Sequence, residues 1–125
     1  MPQIPIHPKL LEFVEAPAFS RYREDYLDDE SFADLQLSLA HNPEAGDLVP
    51  GAGGIRKLRW KDPRRSKGKR GGLRIIYYCF LSYEEIWLLT LYDKNEAADL
   101  SKNEKDLLRR ALEAERAARK VRDIQ

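Results

Sequence analysis

The 125-residue sequence predicts one α+β domain, a small antiparallel sheet packed against helices in the order β-α-α-β-β-β-α. Two patterns carry that reading. Leu73–Leu81 and Ile86–Tyr92 are apolar runs rich in β-branched and aromatic residues. The short polar segment Ser82–Glu85 between them makes the pair a hairpin of central strands. Ser101-x-x-Glu104 is a capping box, and Leu107, Leu108, Ala111, Leu112, Ala118 and Val121 follow at helical spacing, which gives a last helix over 101–122. A chain this long buries roughly two thirds of its unfolded surface, enough for one core but not two.

The remaining elements follow in order. Residues 1–9, with Pro2, Pro5 and Pro8, read as a flexible N-terminus without a signal-peptide core. Leu10–Glu15 is a short extended run. Pro17 sits where a first helical turn begins, and Phe19, Tyr22 and Tyr26 fall on one helical face. A second helix is capped by Asp29 or Ser31, carries Phe32, Leu35 and Leu39, and stops at Asn42-Pro43. Residues 43–54, rich in Gly and Pro, read as a connecting loop. Ile55–Trp60 then alternates as a strand, with Leu58 and Trp60 on one face and Lys57 and Arg59 on the other. Trp60, Tyr77, Tyr78, Phe80 and Trp87 read as core.

Taken alone, the net charge of +1 argues against a polyanionic partner, but the charge is segregated. Residues 1–55 carry 3 Lys+Arg against 10 Asp+Glu, residues 56–74 carry 10 against 1, and residues 75–125 carry 9 against 10. The middle window therefore points to an anionic partner. Its centre, residues 61–72, contains Pro63 and three glycines that break regular structure, and cations that cannot be buried. It reads as an exposed basic loop carrying Lys61, Arg64, Arg65, Lys67, Lys69 and Arg70. If residue 81 pairs with residue 86, Arg74 faces Asp93 and Ile75 faces Tyr92, and the loop lies at the sheet end away from the 82–85 turn. Arg59, Arg74, Tyr92 and Lys94 then join it as a phosphate-binding site, Tyr92 stacking on a base or hydrogen-bonding a phosphate, and Arg56 is counted with the loop cations as RNA-binding. The competing reading is a solvated hairpin tip that only aids solubility.

Other classes are excluded or disfavoured. The single Cys79 leaves no internal disulfide or multi-cysteine zinc site and reads as a buried thiol. His7 and His41 do not form a metal site, no cofactor is implied, and the apolar runs are too short to span a membrane. A reducing cytoplasm is the expected compartment.

Three strings, NPEAGDLVPGAGGIRKLRW (42–60), KGKRGGLRIIYY (67–78) and LLTLYDKNEAADLS (88–101), resemble the HigB branch of RelE-type toxins, which belong to bacterial type II toxin–antitoxin modules. The resemblance runs from Phe13 to Ser101. It implies a RelE-like fold and ribosome-dependent, metal-independent cleavage of mRNA in the A site. It also implies neutralisation by a cognate HigA-like, DNA-binding antitoxin. Carried over residue by residue, the strand lysine falls on Lys57 and its neighbouring arginine on Arg59. The arginine opening the next strand falls on Arg74, and the basic position after the last strand on Lys94. Asn95 stands where RelE proper has a further arginine, and the last tyrosine is Tyr92. The general acid is thus left open among Lys67, Lys69 and Arg70, with Tyr92 stacking or orienting.

Such a site is chemically workable. A lysine base at its ordinary pKa of about 10.4 has its neutral form about 4.6 kcal/mol uphill at pH 7, a cost that neighbouring cations lower. Fixed cations stabilise the developing phosphorane dianion, the larger effect, and a ribosome-held message supplies orientation. Two other readings of the same residues remain: a non-catalytic inhibitor of DNA gyrase on the ParE-type version of the fold, and an RNA-binding protein without turnover.

Overall fold

A computed structural model describes residues 11–63, 72–80, 82, 84–95 and 99–124. The N-terminal segment 1–9 and the loop cations Arg64, Arg65, Lys67, Lys69 and Arg70 lie outside the described residues. The elements are β1 (Glu12–Glu15), α1 (Pro17–Tyr26), α2 (Asp29–His41), β2 (Asp47–Leu48), β3 (Arg56–Trp60), β4 (Leu73–Phe80), β5 (Glu85–Asp93) and α3 (Lys102–Ile124). Five strands form one sheet in the order β1-β5-β4-β3-β2. β3, β4 and β5 are antiparallel, as the sequence predicts; the edge strand β2 is antiparallel to β3, and β1 adds to β5 in parallel. The helices between β1 and the later strands supply the crossover that a parallel pair needs. No described helix is long and apolar enough to cross a membrane.

The sheet is covered on both faces. Leu73, Ile75 and Tyr77 of β4 and Ile86, Leu88 and Leu91 of β5 pack with Phe19 of α1 and Leu35 and Leu39 of α2. Ile76 and Phe80 of β4 and Leu89 of β5 pack with Leu112 of α3 on the opposite face, beside Ile55 and Val49. Tyr77 and Phe80 are core, as expected, and Trp60, Tyr78 and Trp87 are half-buried against it.

Local chemistry sets the helix ends. Pro17 begins α1, where a missing N–H costs nothing. The cap of α2 is Asp28, whose carboxylate accepts the Ser31 N–H at 2.7 Å, rather than Asp29 or Ser31. Asp29 and Glu30 instead occupy the first turn, where the helix dipole favours acids. The capping box forms as predicted: Ser101 N–H donates to Glu104 Oε1 at 2.8 Å, and Glu104 N–H donates to Ser101 Oγ at 3.1 Å.

Two sequence expectations are corrected. The 43–54 segment is not all loop, because Asp47 and Leu48 pair with Lys57 and Arg56 as the edge strand β2. The hairpin register also differs. Phe80 pairs with Glu85 and Tyr77 with Leu88, but Ile76 pairs with Thr90, so Leu89 is an extra residue in β5. The strands start pairing two positions tighter than an 81–86 pair would set, the bulge gives one position back, and Arg74 faces Tyr92 rather than Asp93.

The 43–46 loop is latched to the sheet by the side chains of Tyr77, Cys79 and Arg56. Buried Tyr77 donates its hydroxyl to Pro43 O at 2.8 Å and accepts the Gly46 N–H at 2.8 Å. Cys79, half-buried, donates its thiol to Pro43 O at 3.1 Å. Burial raises the Tyr77 phenol to about 12 and the Cys79 thiol to about 11, so both keep their protons at neutral pH. A Cβ at Gly46 would lie 2.9 Å from Tyr77 Cε1 and 3.0 Å from the Lys57 carbonyl carbon and oxygen. The Lys57 backbone is fixed in the sheet, so Gly46→Ala should destabilise the fold by about 1–3 kcal/mol. Thermal unfolding should show this as a Tm lowered by several degrees.

Candidate functional site

The bulge at Leu89 decides what meets at the loop end of the sheet. Before it, Ile86 and Leu88 face α1 and α2; after it, Leu91 takes that face and Tyr92 turns to the α3 side. Arg59, Arg74 and Tyr92 are thereby consecutive cross-strand neighbours on β3, β4 and β5. Adjacent Cα atoms in such a row are about 4.5–5.5 Å apart. Lys57 lies two residues from Arg59 on the same face, opposite Asp47 of β2. Two guanidiniums, an ammonium and a phenol therefore share one patch, held by the central strands.

Lys94, exposed, follows at the end of β5, and its N–H donates to Gly72 O at 2.9 Å, tying the turn to the start of β4. Lys61 is exposed just beyond β3, at the same sheet end. Arg56 is placed elsewhere: strand alternation turns it to the opposite face. It donates to Gly46 O at 2.7 Å and pairs with Glu44 Oε2 at 3.2 Å. Its guanidinium helps latch the 43–46 loop.

Asp99 joins the patch without having been singled out by sequence. Just ahead of α3, its Oδ1 lies 3.4 Å from Lys57 Nζ and accepts the Tyr92 hydroxyl at 3.4 Å. The same oxygen accepts the Leu100 N–H at 2.8 Å. That backbone bond, together with Lys57, holds the Asp99 carboxyl below its ordinary range. Burial, reinforced by Asp99, pushes the Tyr92 phenol up to about 12, against the pull of Arg74. Tyr92 therefore keeps its proton at neutral pH and can donate a hydrogen bond. The sequence signal was slight: an aspartate two residues before a capping serine.

A carboxylate thus holds a lysine and a phenol side by side where a phosphate oxygen could replace it. The neighbouring guanidiniums are suited to the other oxygens. Among the described residues, no group of three His, Cys, Asp or Glu side chains could hold a metal ion. His41 lies at the end of α2, hydrogen-bonded to Leu37 O at 2.9 Å.

The Asp99–Tyr92 contact has a measurable consequence. Asp99→Asn should lower the Tyr92 midpoint from about 12 toward the ordinary 10, stopping short because the burial stays. Ultraviolet titration, differenced against Tyr92→Phe, isolates that phenol from the other tyrosines. An unchanged midpoint would disprove the coupling.

No family model matches the chain. Among solved structures, it is similar to a mutant of the E. coli toxin RelE in the free state. The identity is 12% and the TM-score 0.46, over 70% of this chain and 87% of that one. At that distance no residue role is carried across; the site is argued from its own geometry.

Proposed function

We propose that the chain is the toxin of a type II toxin–antitoxin module, a ribosome-dependent mRNA endonuclease working by metal-independent transesterification. The observation that carries the reading is the Arg59–Arg74–Tyr92 row, with Lys57 beside it on the same face. The resemblance of 42–60, 67–78 and 88–101 to the HigB branch of RelE-type toxins supports it. A message held in the ribosomal A site presents a phosphodiester to this patch, and a HigA-like antitoxin restrains the protein in the cytoplasm.

In the proposed reaction the phosphodiester displaces Asp99 from Lys57, and the neutral form of the Lys57 amine takes the proton of the 2′-hydroxyl as that oxygen attacks the adjacent phosphorus. A P–O2′ bond forms and the P–O5′ bond breaks, leaving a 2′,3′-cyclic phosphate. Arg59 and Arg74 stabilise the charge on the non-bridging oxygens. Tyr92, which stays protonated at neutral pH, donates its proton to the departing 5′-oxygen. Lys94 and Lys61 add attraction for the flanking phosphates.

Primer extension on a message incubated with the protein tests this, with and without translating ribosomes. New 5′ ends are expected only when ribosomes translate. Salt-sensitive RNA binding with no cleavage in either arm would show a binding protein without turnover. Loss of supercoiling activity when the protein meets purified DNA gyrase would instead show a gyrase inhibitor.

A further inference from the structure

We infer that a cleft beside the cationic row is a nucleobase pocket selective for guanine, a reading that rests on the phosphodiester site proposed above. The cleft, about 240 Å³, opens between α1, β5 and the start of α3. Tyr22 and Tyr26 line it from α1, Thr90 and Tyr92 from β5, and Asp99 and Glu104 from the segment that opens α3.

Three features fix the ligand class. The first is continuity: Tyr92 and Asp99 belong both to the cleft and to the patch holding Lys57 and Arg74. A nucleotide whose phosphate meets the cations therefore has its base at the cleft mouth. The second is shape and surface. Three tyrosines supply stacking surface, which binds bases of any identity. The volume is below that of pockets for drug-sized ligands and suits one planar base.

The third is polarity. Asp99 and Glu104 are acceptors when ionised, so the bound edge must be a donor. Guanine presents an imino and an amino N–H side by side on its Watson–Crick edge. Adenine and cytosine each place a ring-nitrogen acceptor beside their amino group, and uracil flanks its single donor with two carbonyls. A carboxylate at the cleft thus favours guanine and opposes the rest. Glu104 already accepts the Ser101 N–H at Oε1, which fixes its side chain in place.

An aromatic cleft with two carboxylates would also suit an arginine side chain of a partner protein. The shared wall with the cationic patch argues against that, since an arginine there would approach Lys57 and Arg74.

The test uses short oligoribonucleotides made uncleavable by 2′-deoxy substitution, followed by fluorescence anisotropy across a salt series. One probe carries a single guanine among adenines, and the other is adenine throughout. The guanine probe should bind about tenfold more tightly. Glu104→Gln, which keeps an oxygen for the Ser101 N–H, should remove the preference by weakening the guanine probe and modestly strengthening the adenine probe. Tyr22→Ala, at a side chain 39% exposed and outside the core, should weaken both probes several-fold. Salt-sensitive binding of both probes with equal affinity would overturn the guanine pocket while leaving the phosphodiester site standing. Absence of binding to either probe would overturn both. Displacement of the guanine probe by N-acetyl-arginine amide, but not by guanosine, would assign the cleft to a cationic side chain and overturn the inference.

Discussion

Cleavage of a translated message should fall by about 10²–10³-fold when Arg74 is replaced by alanine, the usual effect of removing one fixed donor from a developing oxyanion. Arg74 has the largest expected effect because of where it stands. β4 is paired on both sides, with β3 and β5, so Arg74 is held by two strand ladders at the centre of the row. Its guanidinium is further placed by a hydrogen bond from Nη1 to Leu73 O at 3.2 Å. Arg59, exposed on β3, should matter less when replaced, and Lys94 in its turn less again. Arg74→Lys should recover only part of the loss, since an ammonium cannot offer the paired donors of a guanidinium. Primer extension in a translation extract reads the rate, and circular dichroism checks that the variant is folded. Undiminished cleavage by folded Arg74→Ala would remove this residue, and the row centred on it, from the reaction.

How much of this was legible in the sequence depends on the range of the interactions involved. Lys57 and Arg59 share a face because a strand alternates, and Ser101 with Glu104 closes a helix end within four residues; both are local, and both read correctly. The Arg74–Tyr92 pairing is not local. It depends on a bulge at Leu89, an apolar residue among apolar residues with no Gly or Pro to mark it. Straight pairing from the assumed 81–86 turn put Asp93 there instead, an aspartate that is fully buried. Arg56 looked like one more cation in a basic window, yet its partners, Glu44 and Gly46, come from a loop ten or twelve residues away. Asp99 reaches Lys57 only because the chain before α3 returns to the sheet, a path that local patterns do not encode. The chemistry-bearing residue types were visible along the chain; which of them meet was decided by one inserted residue and one returning loop.

The attachment of α3 to the sheet yields the largest expected effect on stability. Arg119 is 6% exposed, and its guanidinium donates to Glu85 Oε1 at 2.7 Å and to Glu115 Oε2 at 2.8 Å. It also lies 4.1 Å from the Phe80 ring centre and 5.3 Å from that of Trp87, so one side chain ties α3 to both β4 and β5. Arg119→Ala removes the cation and leaves half-buried Glu85 with only the Trp87 indole N–H at 2.9 Å, which should cost about 3 kcal/mol, the lower end for breaking a buried pair. Urea unfolding at neutral pH should show that loss. Removing Glu85 as well, in Glu85→Gln/Arg119→Met, should restore part of it, because no unpaired charge is then left behind.

The pH dependence separates lost pairing from lost packing. Burial pushes the Glu85 carboxyl up, but hydrogen bonds from Arg119 and Trp87 outweigh it and leave it below the ordinary range. A carboxyl held low in the folded state contributes stability that is fully present above its unfolded value, and that is lost as pH falls through the folded one. In Arg119→Ala the burial is no longer opposed by Arg119, so the Glu85 carboxyl rises and acid costs the variant less than it costs the parent. The gap between the two proteins should therefore be widest at neutral pH and narrow as pH falls below about 4.3, the unfolded glutamate value. A gap that stayed constant from pH 7 down to pH 3 would mean that the contact of the Arg119 stem with Phe80 and Trp87, rather than its charge, holds α3 to the sheet.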